Sequence, residues 1–462
     1  MPPRLPRGPP LQLRAGLLTA PERPPSVLDA DCLTICNSND GPQEGHDSMR
    51  IIVVGAGVVG LASAYRLARS GCEVVVLEAR DAGQAASHGN AAKIALAESG
   101  PVPAPGVVLQ SLRWMLKPDS PLYIRPSLAP GFVKFMLGMA AHCTDRAFRN
   151  GLETHLRLAE GTMDLLDGWA EDGIGFEMHQ AGVLLAFESR KRYEEQLGAL
   201  DVFEHFGMVP ERLHGDEVRV REPALSHRIR HGLYFPDDRQ VEPDSLTRGL
   251  AGRCRELGVE IHEHTPVRRV LRRGDGVTGV LTDQGEVTGD TLLLAAGVWT
   301  GRVSRRLGVP LPIRPGKGYS VDYSPAPVSL RTSLTLEDAR VAVTPLNGMV
   351  RLAGTMEFGG LDEKIRPRRI AAIKRAATEA FTDWGAPAGE AAPWAGLRPM
   401  TPDGLPVIGR LDPLDNVYVA SGHGMLGLTL APATAEIITE AITGRRTPPV
   451  AEAVSPGRFT RG

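Results

Sequence analysis

Three glycines near the start of the chain restrict its fold more than any other feature. Gly55, Gly57 and Gly60 follow the apolar run Ile51–Val54 and precede a helical pattern, after which a second apolar run, Val74–Leu77, begins. Short apolar runs without polar alternation are typical of parallel strands that are buried on both faces. The segment therefore predicts a strand–helix–strand unit of an α/β fold with a parallel sheet.

The spacing of these glycines, G-x-G-x-x-G, indicates a dinucleotide site. The first glycine makes the tight turn, the second admits a pyrophosphate close to the backbone, and the third lets the helix pack on the strand. The helix N-terminus, with Val58 and Val59, attracts phosphate charge. Glu78, at the end of the second strand, can accept hydrogen bonds from ribose hydroxyls. The alternative is a glycine turn without a ligand, and these residues alone do not distinguish FAD from NAD.

Later segments predict further pieces of the same sheet and a second sheet between them. The pieces of the first sheet are the helix Asp244–Leu257 with the strand Val259–His262, the strands Thr291–Ala295 and Val417–Ala420, and the helix Ala433–Ile442. Short β-rich runs with turn signals, typical of a largely antiparallel sheet, occur at Phe176–Phe187, Gly232–Phe235, Ile313–Tyr323 and Val341–Gly354. Helical patterns near Leu109–Leu116 and Thr154–Asp172 are expected to pack around both sheets.

Composition favours a small molecule as the ligand. The 462 residues carry 52 basic and 54 acidic side chains, a formal net charge of -2. This balance gives no excess charge to attract nucleic acid or anionic lipid, so no nucleic acid is predicted as a partner. The hydrophobic content of 42% suffices for more than one core, which predicts a protein of several lobes.

The remaining composition bears on compartment and metal binding. The five cysteines are odd in number and lack paired ligand spacing, so reduced thiols in a cytoplasmic protein are expected and no metal is predicted. No transmembrane segment is expected, because no apolar run reaches roughly 18 residues; contact with the inner face of the membrane is left open. Met1–Ser48 is rich in Pro, Arg and Gly and is predicted to be disordered. The alternatives are a start of translation at Met49 or a targeting role.

Several motifs together resemble a known family. They are MRIIVVGAGVVGLASAYRLARSGCEVVVLEA, SHGNAAKI, LLLAAGVWT, PGKGYS, GLRPMTPDGLPVIGR and SGHGMLGLTLAPATAE. In combination they resemble the D-amino-acid dehydrogenases, which share a superfamily with glycine oxidase, sarcosine oxidase and D-amino-acid oxidase. The resemblance runs from Met49 to about Gly444 and is weakest between Pro118 and Val241.

The resemblance implies a Rossmann-like FAD-binding domain of the GR2 type, discontinuous in sequence. A substrate domain built on a largely antiparallel mixed sheet is inserted into it. The expected boundaries are residues 1–48 for a disordered extension, 49–95, 242–305 and 396–446 for the FAD-binding domain, 96–241 and 306–395 for the substrate domain, and 447–462 for a C-terminal tail.

The resemblance also implies further cofactor-binding residues. They are Ser87, Asn90 and Ala91 in the segment after Glu78, Val267, whose backbone should meet the adenine, Gly297, and Gly422, Gly424, Gly427, Leu428 and Thr429 in the closing motif. The small residues of that motif precede a helix, so backbone amides at its N-terminus can approach the flavin and stabilise negative charge. A glycine-rich helix cap without a ligand is the alternative there, and an ordinary edge strand is the alternative at Val267. FAD is expected to be bound non-covalently, since no cysteine follows Cys254 as a thioether attachment site.

Three residues are expected at the reacting centre. Arg398 lies in the motif that, by resemblance, carries the carboxylate-binding arginine, and a guanidinium offers two parallel N–H donors to a carboxylate. The alternative is a structural ion pair. Tyr319 is expected over the substrate or at its pocket, with a core aromatic as the alternative. His423 is expected to contact flavin or substrate, although a lone histidine is more often packed or solvated.

The resemblance implies oxidative deamination of a D-amino acid to the 2-oxo acid and ammonia, with hydride transfer from the substrate α carbon to flavin N5. The electron acceptor is a quinone, an electron-transfer protein or oxygen. The alternatives are oxidation of D-hydroxyproline, proline, glycine or sarcosine on the same scaffold, and a non-catalytic flavin-binding or electron-relay subunit. The basic stretch Lys364–Arg369 is expected to be a solvated helix face.

Overall fold

The computed structural model describes residues 48–108, 120–385 and 389–460. The predicted disordered extension, apart from Ser48, and the helix predicted near Leu109–Leu116 lie outside the described residues.

The described residues form strands and helices in the following order along the chain. The strands are Arg50–Val54 (β1), Glu73–Leu77 (β2), Lys93–Ile94 (β3), Leu122–Ile124 (β4), Met178–His179 (β5), Val183–Phe187 (β6), Glu211–His214 (β7), His231–Phe235 (β8), Arg239–Val241 (β9), Glu260–His262 (β10), Arg269–Arg273 (β11), Gly276–Thr282 (β12), Gly285–Thr288 (β13), Thr291–Leu294 (β14), Arg314–Tyr323 (β15), Ser333–Leu336 (β16), Val341–Leu346 (β17), Met349–Phe358 (β18), Trp394–Met400 (β19), Val407–Arg410 (β20) and Val417–Ser421 (β21). The α-helices are Val58–Arg69 (α1), Pro130–Ala141 (α2), Asp145–Ala159 (α3), Thr162–Glu171 (α4), Arg190–Leu197 (α5), Leu200–His205 (α6), Asp216–Arg221 (α7), Pro243–Glu256 (α8), Thr300–Arg306 (α9), Pro367–Ala380 (α10), Gly427–Ile442 (α11), Val450–Ala453 (α12) and Gly457–Thr460 (α13).

A six-stranded sheet has the strand order β10-β2-β1-β14-β21-β20. All its pairings are parallel except that of β20 with β21. Alternate side chains of β1 enter two different cores: Ile51 and Val53 pack with α1, α8 and α11, whereas Ile52 and Val54 pack with residues of β12 on the opposite face. Burial on both faces explains why this strand is apolar throughout.

A larger sheet has the order β19-β15-β18-β17-β16-β6-β8-β7, with β4 added beside β18. Its pairings are antiparallel except β16 with β6 and β18 with β4. The helix α10 covers one face, where Ile370 and Ile373 pack with Val321 and Leu352. The mixed α/β architecture with one parallel and one largely antiparallel sheet confirms the predicted fold class.

The strands of the two sheets alternate along the chain, as the discontinuous domain prediction requires. The predicted boundary at residue 396 falls inside β19, and this whole strand pairs with β15 in the larger sheet. The domain boundaries themselves stay a prediction.

Two helices differ from their predicted bounds. The helix predicted from Ala433 begins at Gly427 and continues through Pro432, its sixth residue, so the helix is maintained although this proline cannot donate to the helical ladder. The helical pattern predicted at Thr154–Asp172 is divided between α3 and α4, and Gly161 between them has a φ of 75°. That left-handed conformation breaks the helix there.

Candidate active site

One cavity of about 1160 Å³ lies where the carboxyl ends of the parallel strands meet the larger sheet. Its walls contain all of the predicted site residues except Gly60 and Gly422: Gly55, Gly57, Val58, Val59, Glu78, Ser87, Asn90, Ala91, Val267, Gly297, Tyr319, Arg398, His423, Gly424, Gly427, Leu428 and Thr429. Residues separated by more than 300 positions in sequence therefore share one surface, at the edge where open α/β sheets bind their ligands.

The glycines after β1 are required by close backbone approach. Gly55 has a φ of +109°, and a β-carbon there would lie 2.6 Å from the carbonyl oxygen of Ala295. A β-carbon at Gly60 would lie 2.0 Å from the Gly55 carbonyl oxygen. Gly60 therefore packs against the Gly55 turn on the side away from the cavity, which explains why it does not line the cavity.

The N-terminus of α1 faces the cavity without an acidic residue in its first turn. The Ser87 hydroxyl accepts a hydrogen bond from the Val58 N–H at 3.0 Å. A β-carbon at Gly57 would lie 3.3 Å from the same hydroxyl oxygen. Ser87 and the glycine turn are therefore one unit, which offers a helix N-terminus to an anionic group.

Both carboxylate oxygens of Glu78 accept hydrogen bonds from backbone N–H groups. Its Oε2 accepts from the Ala56 N–H at 2.7 Å, and its Oε1 accepts from the Arg80 N–H at 3.0 Å. A carboxylate has about four acceptor sites, so Glu78 can still accept hydrogen bonds from a ribose. The N–H of Thr265 donates to the Glu78 carbonyl at 2.7 Å. That bond begins the segment without strand structure that carries Val267 to the cavity.

The Ser87–Ala92 loop is fixed by the larger sheet. Asn90 closes the loop internally, donating to the Ser87 carbonyl at 2.6 Å and accepting from the Ala92 N–H at 2.7 Å. The buried guanidinium of Arg351 donates to the His88 carbonyl at 3.0 Å and forms a two-pronged ion pair with Asp322 at 2.8 Å. Sequence reasoning missed this pair, because it joins two strands to a distant loop.

The loop between β21 and α11 reaches the cavity through backbone geometry. Gly422 and Gly424 have φ values of +79° and +56°, and the Gly424 N–H donates to the Pro399 carbonyl at 3.0 Å. Gly422 faces Thr401 rather than the cavity. Leu428 and Thr429 lie in the first turn of α11, which has no acidic residue and no side-chain cap. On the same wall, the carbonyl of Gly297 accepts from the Ser421 hydroxyl at 2.8 Å.

His423 is held as a neutral imidazole. The side chain is buried, its Nε2 lies 2.9 Å from the Thr434 hydroxyl, and burial lowers its pKa to about 3. His423 therefore carries no charge near neutral pH. Its direct contact with flavin or substrate stays a prediction.

Arg398 is the most unusual group in the cavity. Its Nη1 donates to the Thr355 carbonyl at 2.8 Å, and burial lowers the pKa of the guanidinium to about 10, so it is still charged near neutral pH. Within the described ranges no carboxylate pairs with it, and neither Nε nor Nη2 has a hydrogen-bond partner. A desolvated cation without a counter-ion is costly. The arrangement leaves two parallel N–H donors for an anionic ligand.

Tyr319 lines the cavity, but its side chain is packed into the core. Its ring belongs to the cluster under α10, and its hydroxyl donates to Glu357 at 2.8 Å. Burial and Glu357 raise the Tyr319 pKa above its ordinary value. These contacts favour the core alternative, and a catalytic role for Tyr319 stays an untested prediction.

Glu357, which sequence reasoning missed, is fully buried and pairs with two cations. Lys317 Nζ lies 3.3 Å from Oε1, and Arg366 Nε lies 2.8 Å from the same atom. Arg369 is also buried and donates to the Ser120 carbonyl. The expectation of a solvated helix face at Lys364–Arg369 is therefore wrong for Arg369, which is buried on a backbone carbonyl, whereas Arg366 keeps 41% of its side chain exposed while it pairs with Glu357.

A second polar group on the cavity wall was also missed. Lys93 is buried and donates to Glu98 at 3.1 Å and to the Thr335 hydroxyl. Lys93 interrupts the apolar residues of SHGNAAKIAL. A charge inside an apolar run was the available signal, since such a charge must find a partner on folding.

Fold and site together are those of a dinucleotide-binding oxidoreductase whose cavity contains an arginine without a carboxylate partner in the described ranges. The family model described as "DAO: FAD dependent oxidoreductase" matches residues 50–441. The chain belongs to this family, and its cofactor is FAD. The cavity volume, the helix N-termini that face the cavity and the fixed Glu78 fit that cofactor.

Relatives agree with this assignment, and solved structures share the fold. A D-amino acid dehydrogenase from Methylobacterium nodulans is 36% identical over 425 residues, covering 89% of this chain and 100% of its own. Another from Cereibacter sphaeroides is 37% identical over 407 residues, covering 86% and 92%. Glycine oxidase from Bacillus cereus superposes with a TM-score of 0.67 at 22% identity, over 88% of this chain and 98% of that chain. L-proline dehydrogenase from P. horikoshii gives 0.68 at 21%, over 90% and 98%.

Among the described residues, none of the helices has both the length and the apolar character that crossing a membrane requires.

Proposed function

We propose that the protein catalyses FAD-dependent oxidative deamination of a D-amino acid to the 2-oxo acid and ammonia. The observation that carries this proposal is Arg398, a partly buried guanidinium that has no carboxylate partner in the described chain and shares a cavity with the dinucleotide loop. The relatives named D-amino acid dehydrogenase support the D-configuration of the substrate.

When bound, FAD supplies the acceptor of the hydride that leaves the substrate α carbon. Arg398 binds the substrate carboxylate through Nε and Nη2, while its Nη1 stays on the Thr355 carbonyl. One end of the substrate is thereby fixed, so that the α carbon is presented in one orientation. The neutral amine assists hydride loss, and water then hydrolyses the imino acid to ammonia and the 2-oxo acid.

The cofactor is held at two helix N-termini. The amides of α1, whose turn is closed by Ser87, would hold the pyrophosphate, and Glu78, which already accepts from the Ala56 N–H, would accept from the adenosine ribose. The first turn of α11 approaches the flavin with Gly427, Leu428 and Thr429. The neutral His423 lies in the loop between β21 and α11 and adds no positive charge of its own.

The proposal includes an electron acceptor. The names of the curated relatives, which are dehydrogenases, favour a quinone or an electron-transfer protein over oxygen. Reoxidation of the reduced enzyme by air, compared with reoxidation by a soluble quinone, measures this preference directly.

The decisive experiment is anaerobic reduction of the purified yellow protein with single amino acids. The panel contains D- and L-alanine, other D-amino acids, glycine, sarcosine, proline and the hydroxyproline isomers. We expect bleaching of the flavin absorbance by D-amino acids, with one 2-oxo acid formed per flavin reduced. Bleaching by L-proline or sarcosine alone would replace the substrate but keep the chemistry. No bleaching by any of them would favour a non-catalytic flavoprotein.

A further inference from the structure

The side chain of Arg398 lies across the backbone of Gly318 on the neighbouring strand. Arg398 pairs directly with Gly316, so Gly318 is two residues further along β15 and lies on the same face. A β-carbon at Gly318 would lie 2.3 Å from Nη2 and 2.4 Å from both Cζ and Nη1 of Arg398. The absence of a side chain at Gly318 therefore makes the space that the guanidinium occupies.

The strand on the other side of Gly318 bulges at the same level. Lys317 pairs with Glu357 and Tyr319 pairs with Gly354, so Thr355 and Met356 together face Gly318. Such a bulge redirects the backbone of the longer strand. Thr355 has a φ of +68°, a left-handed conformation that β-branched residues rarely adopt. The carbonyl of this residue is the one that accepts from Arg398 Nη1 at 2.8 Å.

Together the two features orient the guanidinium. The Thr355 carbonyl fixes Nη1, the Gly318 backbone supports the flat face, and the Nε–Nη2 edge has no partner among the residues described. This edge carries the two parallel N–H donors that match a carboxylate.

We propose that Gly318 and Thr355 are positioning residues that hold the Nε–Nη2 edge of Arg398 ready for the substrate carboxylate. The inference rests on the proposed function, since it takes Arg398 as the carboxylate anchor. It assigns to the second glycine of PGKGYS a role in substrate binding that acts through the arginine of another strand.

The test titrates propionate into the FAD-loaded protein and obtains the dissociation constant, Kd, from the change in flavin absorbance that binding causes. Propionate carries the carboxylate of D-alanine but no amine, so it binds without being oxidised. Gly318→Ala should raise the propionate Kd about tenfold or more, which corresponds to 1.4 kcal/mol or more. The matched control is Gly232→Ala in β8 of the same sheet, away from the cavity, whose β-carbon would lie 2.9 Å from the Leu184 side chain. Its propionate Kd should stay within about twofold of the wild-type value.

A double-mutant cycle separates positioning from general damage. Once Arg398→Ala has removed the guanidinium, adding Gly318→Ala should weaken propionate binding no further, because there is nothing left to displace. Additive losses would overturn the proposal. If Gly318→Ala alone does not fold, the double variant should fold again; failure of the double variant would also overturn it.

The same measurements separate this inference from the proposed function. If Arg398→Ala weakens propionate binding and Gly318→Ala does not, the positioning role is wrong and the anchor stands. If Arg398→Ala leaves propionate binding unchanged, the anchor is wrong and the positioning role fails with it.

Discussion

The two walls of the cavity recognise charge in different ways. The wall at the parallel sheet presents backbone amides and a glycine turn, fixed by Ser87 and Glu78 at contacts of 2.7 to 3.0 Å. The wall at the larger sheet presents a single guanidinium, Arg398, lying on Gly318 and held by one carbonyl. The first wall distributes its binding over many groups, and the second concentrates it in one side chain. Single substitutions should therefore have larger effects on substrate binding than on the cofactor.

The largest effect is expected at Arg398. Arg398→Ala should lower kcat/KM for a D-amino acid by about two orders of magnitude or more, from the loss of roughly 3 kcal/mol of charge-assisted binding. Arg398→Lys should also be damaging, because lysine lacks the planar fork. FAD content and Tm should hardly change, since no ion pair of the described structure is broken. Steady-state kinetics with a flavin assay checks this, and a nearly unchanged kcat/KM would mean that the anchor lies elsewhere.

An intermediate effect is expected at Glu78. Glu78→Ala should weaken FAD retention, with each lost charge-assisted hydrogen bond worth about 1.5 to 3 kcal/mol. The N–H groups of Ala56 and Arg80 would also lose their acceptor. Glu78→Gln is the matched control, because it keeps the shape and one acceptor oxygen and should lose less. FAD affinity is measured by titrating the apoprotein; equal affinity in all three proteins would point to another ribose partner.

Ser87→Ala tests whether binding at the wall of the parallel sheet is shared among several groups, as its contacts indicate. Ser87→Ala should destabilise the protein by about 1 kcal/mol, the value of one side-chain hydrogen bond to a helix N-terminus. Ser63→Ala on the same helix is the control, since the Ser63 hydroxyl only donates to the Val59 carbonyl one turn earlier. Urea unfolding of both variants gives the comparison. If titration of the apoprotein shows that Ser87→Ala weakens FAD binding as much as Glu78→Ala does, cofactor binding is not shared evenly among the groups of this wall.

The same difference between the two walls explains which parts of the site the sequence could predict. The glycine turn and Glu78 come from 24 consecutive residues, Gly55–Glu78, and their roles follow from local backbone geometry, so spacing alone indicated them. The surroundings of Arg398 come from three strands whose register brings Gly318, Thr355 and Arg398 together. No spacing within one strand reveals a bulge on its neighbour. Resemblance pointed to Arg398 itself, but the Gly318 contact and the Glu357 cluster required the structure.

The effect that is smallest near neutral pH concerns His423 and is a change of pH dependence. In the unfolded chain His423 takes up a proton near its ordinary pKa of 6.5, whereas in the folded protein burial lowers the pKa to about 3. Between these two pKa values the unfolded state binds protons more strongly than the folded state. The stabilising contribution of the buried, neutral His423 is therefore complete above pH 6.5 and is lost as the pH falls toward 3. His423→Gln cannot be protonated and should make the free energy of unfolding less dependent on pH in that window. His155, also buried with a lowered pKa, stays in both proteins and accounts for part of the remaining slope.

Urea unfolding across the pH range measures the difference. The kcat/KM profile should show no step from His423 near pH 6.5, and an equal pH dependence of unfolding in both proteins would mean that the imidazole is more accessible to water than its contacts indicate.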